Sequence, residues 1–218
     1  LAAGLQAAFE RLDALLADAV RQALQQADAH DPWRGLHIDA RELERLFARP
    51  PGQPRLWSEA AAAPDAVLGG CWPFTLLRGR LGLSAFDLDI IVIALAPEFD
   101  LRYERLFAFV QDDVTRKRPQ MNLALDLLCQ SAEDKLARRR HFQPDAPLMR
   151  HRLINLQPDE QAPGASTLSQ GLSVDTQVAR WLLGGHDDVH PHLRATCRLV
   201  APALDMADLE LPATTRTA

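Results

Sequence analysis

The chain has 218 residues, is 47% hydrophobic and 24% charged, and carries a formal net charge of -5. That balance places it among globular proteins and works against nucleic-acid binding by bulk charge. No apolar run reaches the roughly 20 residues needed to cross a bilayer, and the N-terminus lacks the basic, apolar and small-residue order of a signal peptide, so a cytoplasmic protein is expected.

Cys71, Cys129 and Cys197 are far apart and odd in number, which fits buried or idle thiols better than a disulfide framework. Ala and Leu are abundant, and β-branched residues cluster only near Ile90 to Ile93. The intrinsic propensities therefore favour helix.

From Leu5 to about Ala29, Leu5, Phe9, Leu12, Leu15, Leu16, Ala19 and Val20 recur at three- and four-residue steps and predict a long amphipathic helix. Asp31-Pro32 closes it. Asp39 is placed to cap a second helix with Glu42 at N3 and a core face of Leu43, Leu46 and Phe47, ended by Pro50-Pro51-Gly52-Gln53-Pro54. An Ala-rich segment from Ser58 leads through Gly69-Gly70 to a helix around Phe74 to Leu81.

Ser84, with Asp87 three residues on, opens a helix that is apolar almost all round, which predicts a central, buried element. Asp100 is positioned to cap the next, with Tyr103, Leu106, Phe107 and Val110 on one face and Asp112-Asp113 at its exit. Asn122 and Ser131 then suit the caps of two short helices, roughly 123 to 129 and 132 to 141, at helix-turn-helix spacing.

Leu148 to Leu156 reads as a strand, 157 to 167 as a polar loop, and Leu168 to Val174 as an antiparallel return. Asp175 or Thr176 starts a helix with Val178, Trp181 and Leu182 inward, stopped by Gly184-Gly185. A last helix around Leu193 to Met206 is interrupted by Pro202. Helix, short helix, helix, strand, loop, strand is the order of a winged helix. The start at Leu1 without Met and the unpatterned stretch Leu211 to Ala218 suggest a piece of a longer protein.

Leu83 to Leu128, with Ala96-Pro97-Glu98-Phe99-Asp100, Tyr103, Gln111 to Arg116 and Arg118-Pro119, resembles the winged-helix region preceding the ATPase core of a bacterial AAA+ subfamily linked to contractile injection systems. Trp33-Arg34-Gly35-Leu36, Asp145-Ala146-Pro147-Leu148 and Val178 to Gly184 extend the resemblance over roughly 30 to 190. It implies a mainly α fold with a small antiparallel β wing. The expected domains are an N-terminal helical region over 1–80, a winged-helix-like domain over 81–185 with its wing about 157–171, and a C-terminal helix and linker over 186–218.

The resemblance also implies a non-catalytic region that recruits a protein partner or substrate. The parent would be a ring of six copies, with ATP and magnesium held by a core outside this chain. A P-loop needs a Gly-rich turn followed by Lys and Ser or Thr. Gly69-Gly70 and Gly184-Gly185 are not followed by such residues, so no ATPase position of the family can be carried onto this sequence. No catalytic, cofactor or metal residue is assigned.

One local excess of positive charge remains, on Arg116, Lys117, Arg118, Lys135, Arg138, Arg139, Arg140, Arg150 and Arg152. In a DNA-reading winged helix such positions would meet phosphate and base edges. On an acidic chain they are first expected to form ion pairs with Glu133, Asp134 and other carboxylates or to contact protein, with sequence-specific DNA binding as the second reading.

His186, His190 and His192 with Asp187 and Asp188 carry zinc-ligand chemistry, but Gly184-Gly185 before them and Pro191 between them make an exposed loop the expectation. Asp87, Asp89, Glu98, Asp100, Asp112 and Asp113 read as caps, helix ends and internal ion pairs rather than acid/base catalysts. Asp89, in an apolar helix, is expected to pair with Arg102 or Arg116.

Overall fold

A computed structural model describes residues 2–26, 40–62, 72–158 and 164–185, with 193, 195–198 and 200. Close contacts divide the chain into two units, Leu1–Gly184 and Gly185–Ala218. The fold described below is that of the first. The predicted Asp31-Pro32 stop, the Asp39 cap, Trp33-Arg34-Gly35-Leu36, Gly69-Gly70, Cys71 and the His186 to His192 cluster lie outside the described residues. So does most of the expected last helix.

Helix α1 (Ala2–Gln26) buries Leu5, Phe9, Leu12, Leu15, Leu16 and Ala19, the stripe its periodicity predicts. Helix α2 (Ala40–Ala48) departs from expectation. Its predicted core face is solvent-exposed, Leu43 at 44%, Leu46 at 49% and Phe47 at 87%. Segregation of apolar residues fixes that a helix has an apolar side, not what that side faces. Helix α3 (Trp72–Leu81) follows and buries Phe74.

Helix α4 (Ala85–Phe99) is the centre of the core, with every residue from Phe86 to Pro97 buried. Its start is a reciprocal cap. Ser84 Oγ accepts the Asp87 N–H at 3.2 Å, and Asp87 Oδ2 accepts the Ser84 N–H at 2.7 Å. Asp89, inside this helix, accepts a hydrogen bond from Arg11 of α1, which corrects the expected pairing with Arg102 or Arg116. Arg102 instead reaches Asp13, and Arg116 reaches Asp113. The packing of α1 against α4 brings Arg11 to the carboxylate. Burial without a counter-charge would be prohibitive.

Helix α5 (Arg102–Val110) buries Tyr103, Phe107 and Val110 and packs on α1 and α4. Asp100 Oδ1 accepts the Arg102 N–H at 2.8 Å, which serves the exposed first turn although Leu101 occupies the cap position. Helix α6 (Met121–Leu128) begins earlier than predicted. Gln120 is its cap position, and Asn122 lies inside the first turn with its side chain on Asp126 and Lys135. Helix α7 (Ala132–Arg138) is capped by Ser131, whose Oγ accepts the Asp134 N–H at 3.1 Å, and runs into a 3-10 turn over Arg139–Phe142.

Leu148 to Arg150 corrects the strand reading, because Pro147–Arg150 is a helical turn, α8, started by Pro147 with its φ already helical. The strand proper is β1 (Ile154–Gln157), paired antiparallel with β2 (Gly171–Val174) in the register Ile154 to Val174 and Gln157 to Gly171. The segment before α6 adds to the far side of β2. Leu172 N donates to Pro119 O, and Met121 N to Gln170 O.

Helix α9 (Thr176–Leu182) is capped by Asp175 as predicted and ends at Gly184, whose φ of 92° suits a residue without Cβ. It buries Ala179 and Leu182, with Val178 and Trp181 partly buried against the same core. The outcome is the expected mainly α fold with a small antiparallel wing.

Candidate functional site

The local surroundings of the nine cations singled out by sequence sort them into three groups. The first, Arg116-Lys117-Arg118, sits on the loop that leaves α5. Asp113 starts the turn, its Oδ1 accepting the Thr115 N–H at 2.9 Å and hydroxyl at 2.6 Å while Oδ2 accepts from Arg116 Nε at 2.7 Å. The Thr115 hydroxyl, with the Thr115 amide and Arg116, outweighs partial burial and holds the Asp113 carboxyl below its ordinary range.

Gln111 clamps the rest of that loop. Its Nε2 donates to Arg116 O at 2.8 Å and Arg118 O at 3.1 Å, and its Oε1 accepts the Gln120 N–H at 2.8 Å. The clamp lays Pro119 and Gln120 along β2. Between loop and wing opens a cavity of about 350 Å³ lined by Arg116, Lys117, Arg118, Gln157, Ser169 and Gly171 among others.

Its cations are partly countered, Lys117 by Glu104 at 3.8 Å and Arg118 by Glu98 at 3.5 Å, separations at which exposed pairs contribute little. Arg118 Nη1 is buried with no hydrogen-bond partner. Glu98 thus faces Arg118 of the loop, and Asp113 forms the loop's turn.

In the second group, on α7, Lys135 faces inward while the Arg138 side chain remains 38% exposed. Lys135 Nζ donates to Asp126 Oδ1 at 2.6 Å and Asn122 Oδ1 at 2.8 Å, and both charged side chains are nearly buried. Arg138 pairs with Asp134 at 3.0 Å while its guanidinium lies 4.8 Å from the Phe86 ring centre. What α7 shows to solvent is Glu133, Ala137 and Leu136, the last 70% exposed.

The third group, Arg139, Arg140, Arg150 and Arg152, is exposed on the 3-10 turn after α7, on α8 and on the turn into β1. Arg150 reaches His151 Nε2 at 3.3 Å, and Arg152 adopts a left-handed φ of 52°.

Two features were missed by sequence reasoning. His141 Nδ1 lies 2.7 Å from Asp87 Oδ1, and its ring packs on Phe86 with centroids 4.9 Å apart. Burial alone would raise the Asp87 carboxyl, but the hydrogen bonds from His141 and Ser84 prevail and hold it low. Asp126, buried at the start of the helix-turn-helix, also accepts the Arg55 N–H at 3.3 Å from a loop far away in sequence. Only a polar residue in an otherwise apolar stretch, Asp126 within 123 to 129, could have signalled it.

Cys129 is buried, and burial pushes its thiol up to about 12, away from the thiolate form; Cys197 is exposed. Among the described residues no group of His, Cys, Asp and Glu converges as metal ligands, and no helix is long and apolar enough to cross a membrane.

Neither the curated proteins nor the solved structures yield a match. The family model for the winged helix domain, variant, does match, over residues 5–194. That span takes in α1 through the wing and α9, so the chain belongs to the variant winged-helix domain family.

Proposed function

We propose that this chain is a non-catalytic region that recruits a protein partner or substrate to a AAA+ ATPase engaged in assembling or remodelling a protein complex. The observation that carries the protein-contact reading is the surface of α7. In the winged-helix order this is the second helix of the helix-turn-helix, the element a DNA reader lays in the major groove. Here its first turn is acidic, its exposed large residue is Leu136, and its two cations are held by Asp126 and Asp134. Acids at that position repel phosphate, whereas an exposed leucine ringed by charge suits protein contact.

The AAA+ affiliation rests on the resemblance over roughly 30 to 190. In that reading ATP and magnesium belong to a core outside this chain, and the parent assembles as a ring of six. A reading frame that continues past Ala218 into a Gly-rich loop ending in Gly-Lys-Ser or Gly-Lys-Thr supports it; a frame without one overturns it.

The second reading, sequence-specific DNA binding, is favoured by exposed Arg139, Arg140, Arg150 and Arg152. Titration of a labelled duplex library against the purified chain at low and moderate salt separates the two. Recruitment predicts no saturable binding in either. Saturable binding that weakens steeply with salt and selects a sequence replaces it with the DNA reading.

A further inference from the structure

Gln120 walls a second cavity besides the one at the wing. This one measures about 180 Å³ and is lined by Arg49, Arg55, Gln111, Gln120, Asn122 and Asp126 among others. Its walls are polar, yet most of their acceptors are already engaged. Asp126 Oδ1 accepts from Lys135 Nζ at 2.6 Å and the Arg55 N–H at 3.3 Å, and Oδ2 accepts from Asn122 Nδ2 at 2.9 Å. Asn122 Oδ1 takes a second Lys135 hydrogen bond, and Gln111 Oε1 takes the Gln120 N–H. The donors are in surplus.

Arg55 places Nη2 on Val110 O at 2.6 Å, and neither Arg55 nor Arg49 has a carboxylate partner among the described residues. Lys135 cancels the charge of Asp126. Two arginines therefore line one small cavity, and no carboxylate in its wall pairs with either side chain.

We infer that this cavity is a binding site for a phosphate-type oxyanion, free or as the terminal group of a small phosphate ester. Each guanidinium presents N–H donors in a planar fork that matches two oxygens at a time. A carboxylate has two oxygens and satisfies one fork. A tetrahedral phosphate has enough oxygens to accept from both, in charge-assisted bonds about twice as strong as neutral ones. The volume accommodates one such group and not a polymer threaded through it. This site is independent of the recruitment reading, since none of its lining residues lies on α7 or the wing strands and Lys135 enters only by neutralising Asp126 from behind the wall.

The test is calorimetric titration of the intact chain, at constant ionic strength set with chloride, using inorganic phosphate, glycerol 3-phosphate and acetate as separate probes. Saturable 1:1 binding of inorganic phosphate is expected for a free-phosphate site, and of the ester alone for an ester site. Arg49→Ala, at an exposed position, should weaken it about tenfold. Arg55→Lys, which keeps charge but loses the fork, should also weaken it, and Arg116→Ala at the other cavity should leave it unchanged. Circular dichroism establishes that each variant is folded. No saturable binding of either phosphate, equal binding of acetate, or wild-type affinity in folded Arg49→Ala would overturn the assignment.

Discussion

Lys135 and Arg138 differ from Arg139 and Arg140 in almost nothing that a sequence records, yet the chain uses them in opposite ways. The first two lie on α7 and are held by partners, Lys135 by a buried carboxylate and Arg138 by Asp134 and the Phe86 ring. The other two, at the start of the following 3-10 turn, are exposed, with no ion pair among the described residues. The turn from α-helical to 3-10 geometry redirects consecutive side chains away from the face that packs on α6. A run of basic residues thus divides into a half already paired within the fold and an exposed half with no ion pair among the described residues.

The sharpest way to break this comparison is to remove a scaffold cation. Lys135→Ala leaves Asp126 buried with its charge uncompensated, so it should destabilise the fold by about 3–5 kcal/mol. Urea unfolding of the variant measures this. A loss under about 1 kcal/mol would mean that Lys135 behaves as a surface residue and that the division into two halves is wrong.

A smaller effect is expected where His141 meets Asp87, because that pair is set by the same 3-10 turn. Asp87→Asn keeps the shape and removes the charge, and should cost about 1–3 kcal/mol at neutral pH, the value of hydrogen bonds to a charged group. The sign with pH follows from the lowered Asp87 carboxyl. Its contribution is complete above the ordinary aspartate value of about 3.9 and disappears as pH falls through the lower folded value. The stability gap between wild type and variant should therefore hold from pH 7 to 5 and close below pH 4; a gap constant down to pH 3 would contradict it.

What the sequence made legible and what it hid divide along the same line, between local and distant causes. The Ser84 and Asp87 reciprocal cap, the Ser131 and Asp175 caps and the buried face of α1 were readable because each depends on residues within a turn or two. The partner of Asp89 was not, since Arg11 is 78 residues away and only the packing of α1 on α4 brings it there. The helical turn at Pro147 carried a local signal, a proline at the first helical position, outweighed in the strand reading by the alternation that follows. Exposure of Leu43, Leu46 and Phe47 had no local signal at all.

The smallest predicted effect bears most directly on function. Arg139→Ser with Arg140→Ser removes two exposed cations and should change unfolding free energy by no more than about 0.5 kcal/mol. That neutrality makes the pair a clean probe, because any lost interaction can then be assigned to surface chemistry rather than to a weakened fold. If a partner is captured by α7 and the turn behind it, Leu136→Ser should abolish capture, and the double Arg variant should slow association and reduce its salt dependence without abolishing it. The reverse order, with the arginines indispensable and Leu136 dispensable, is what a phosphate-reading surface requires, and a kinetic binding assay across salt concentrations distinguishes the two outcomes.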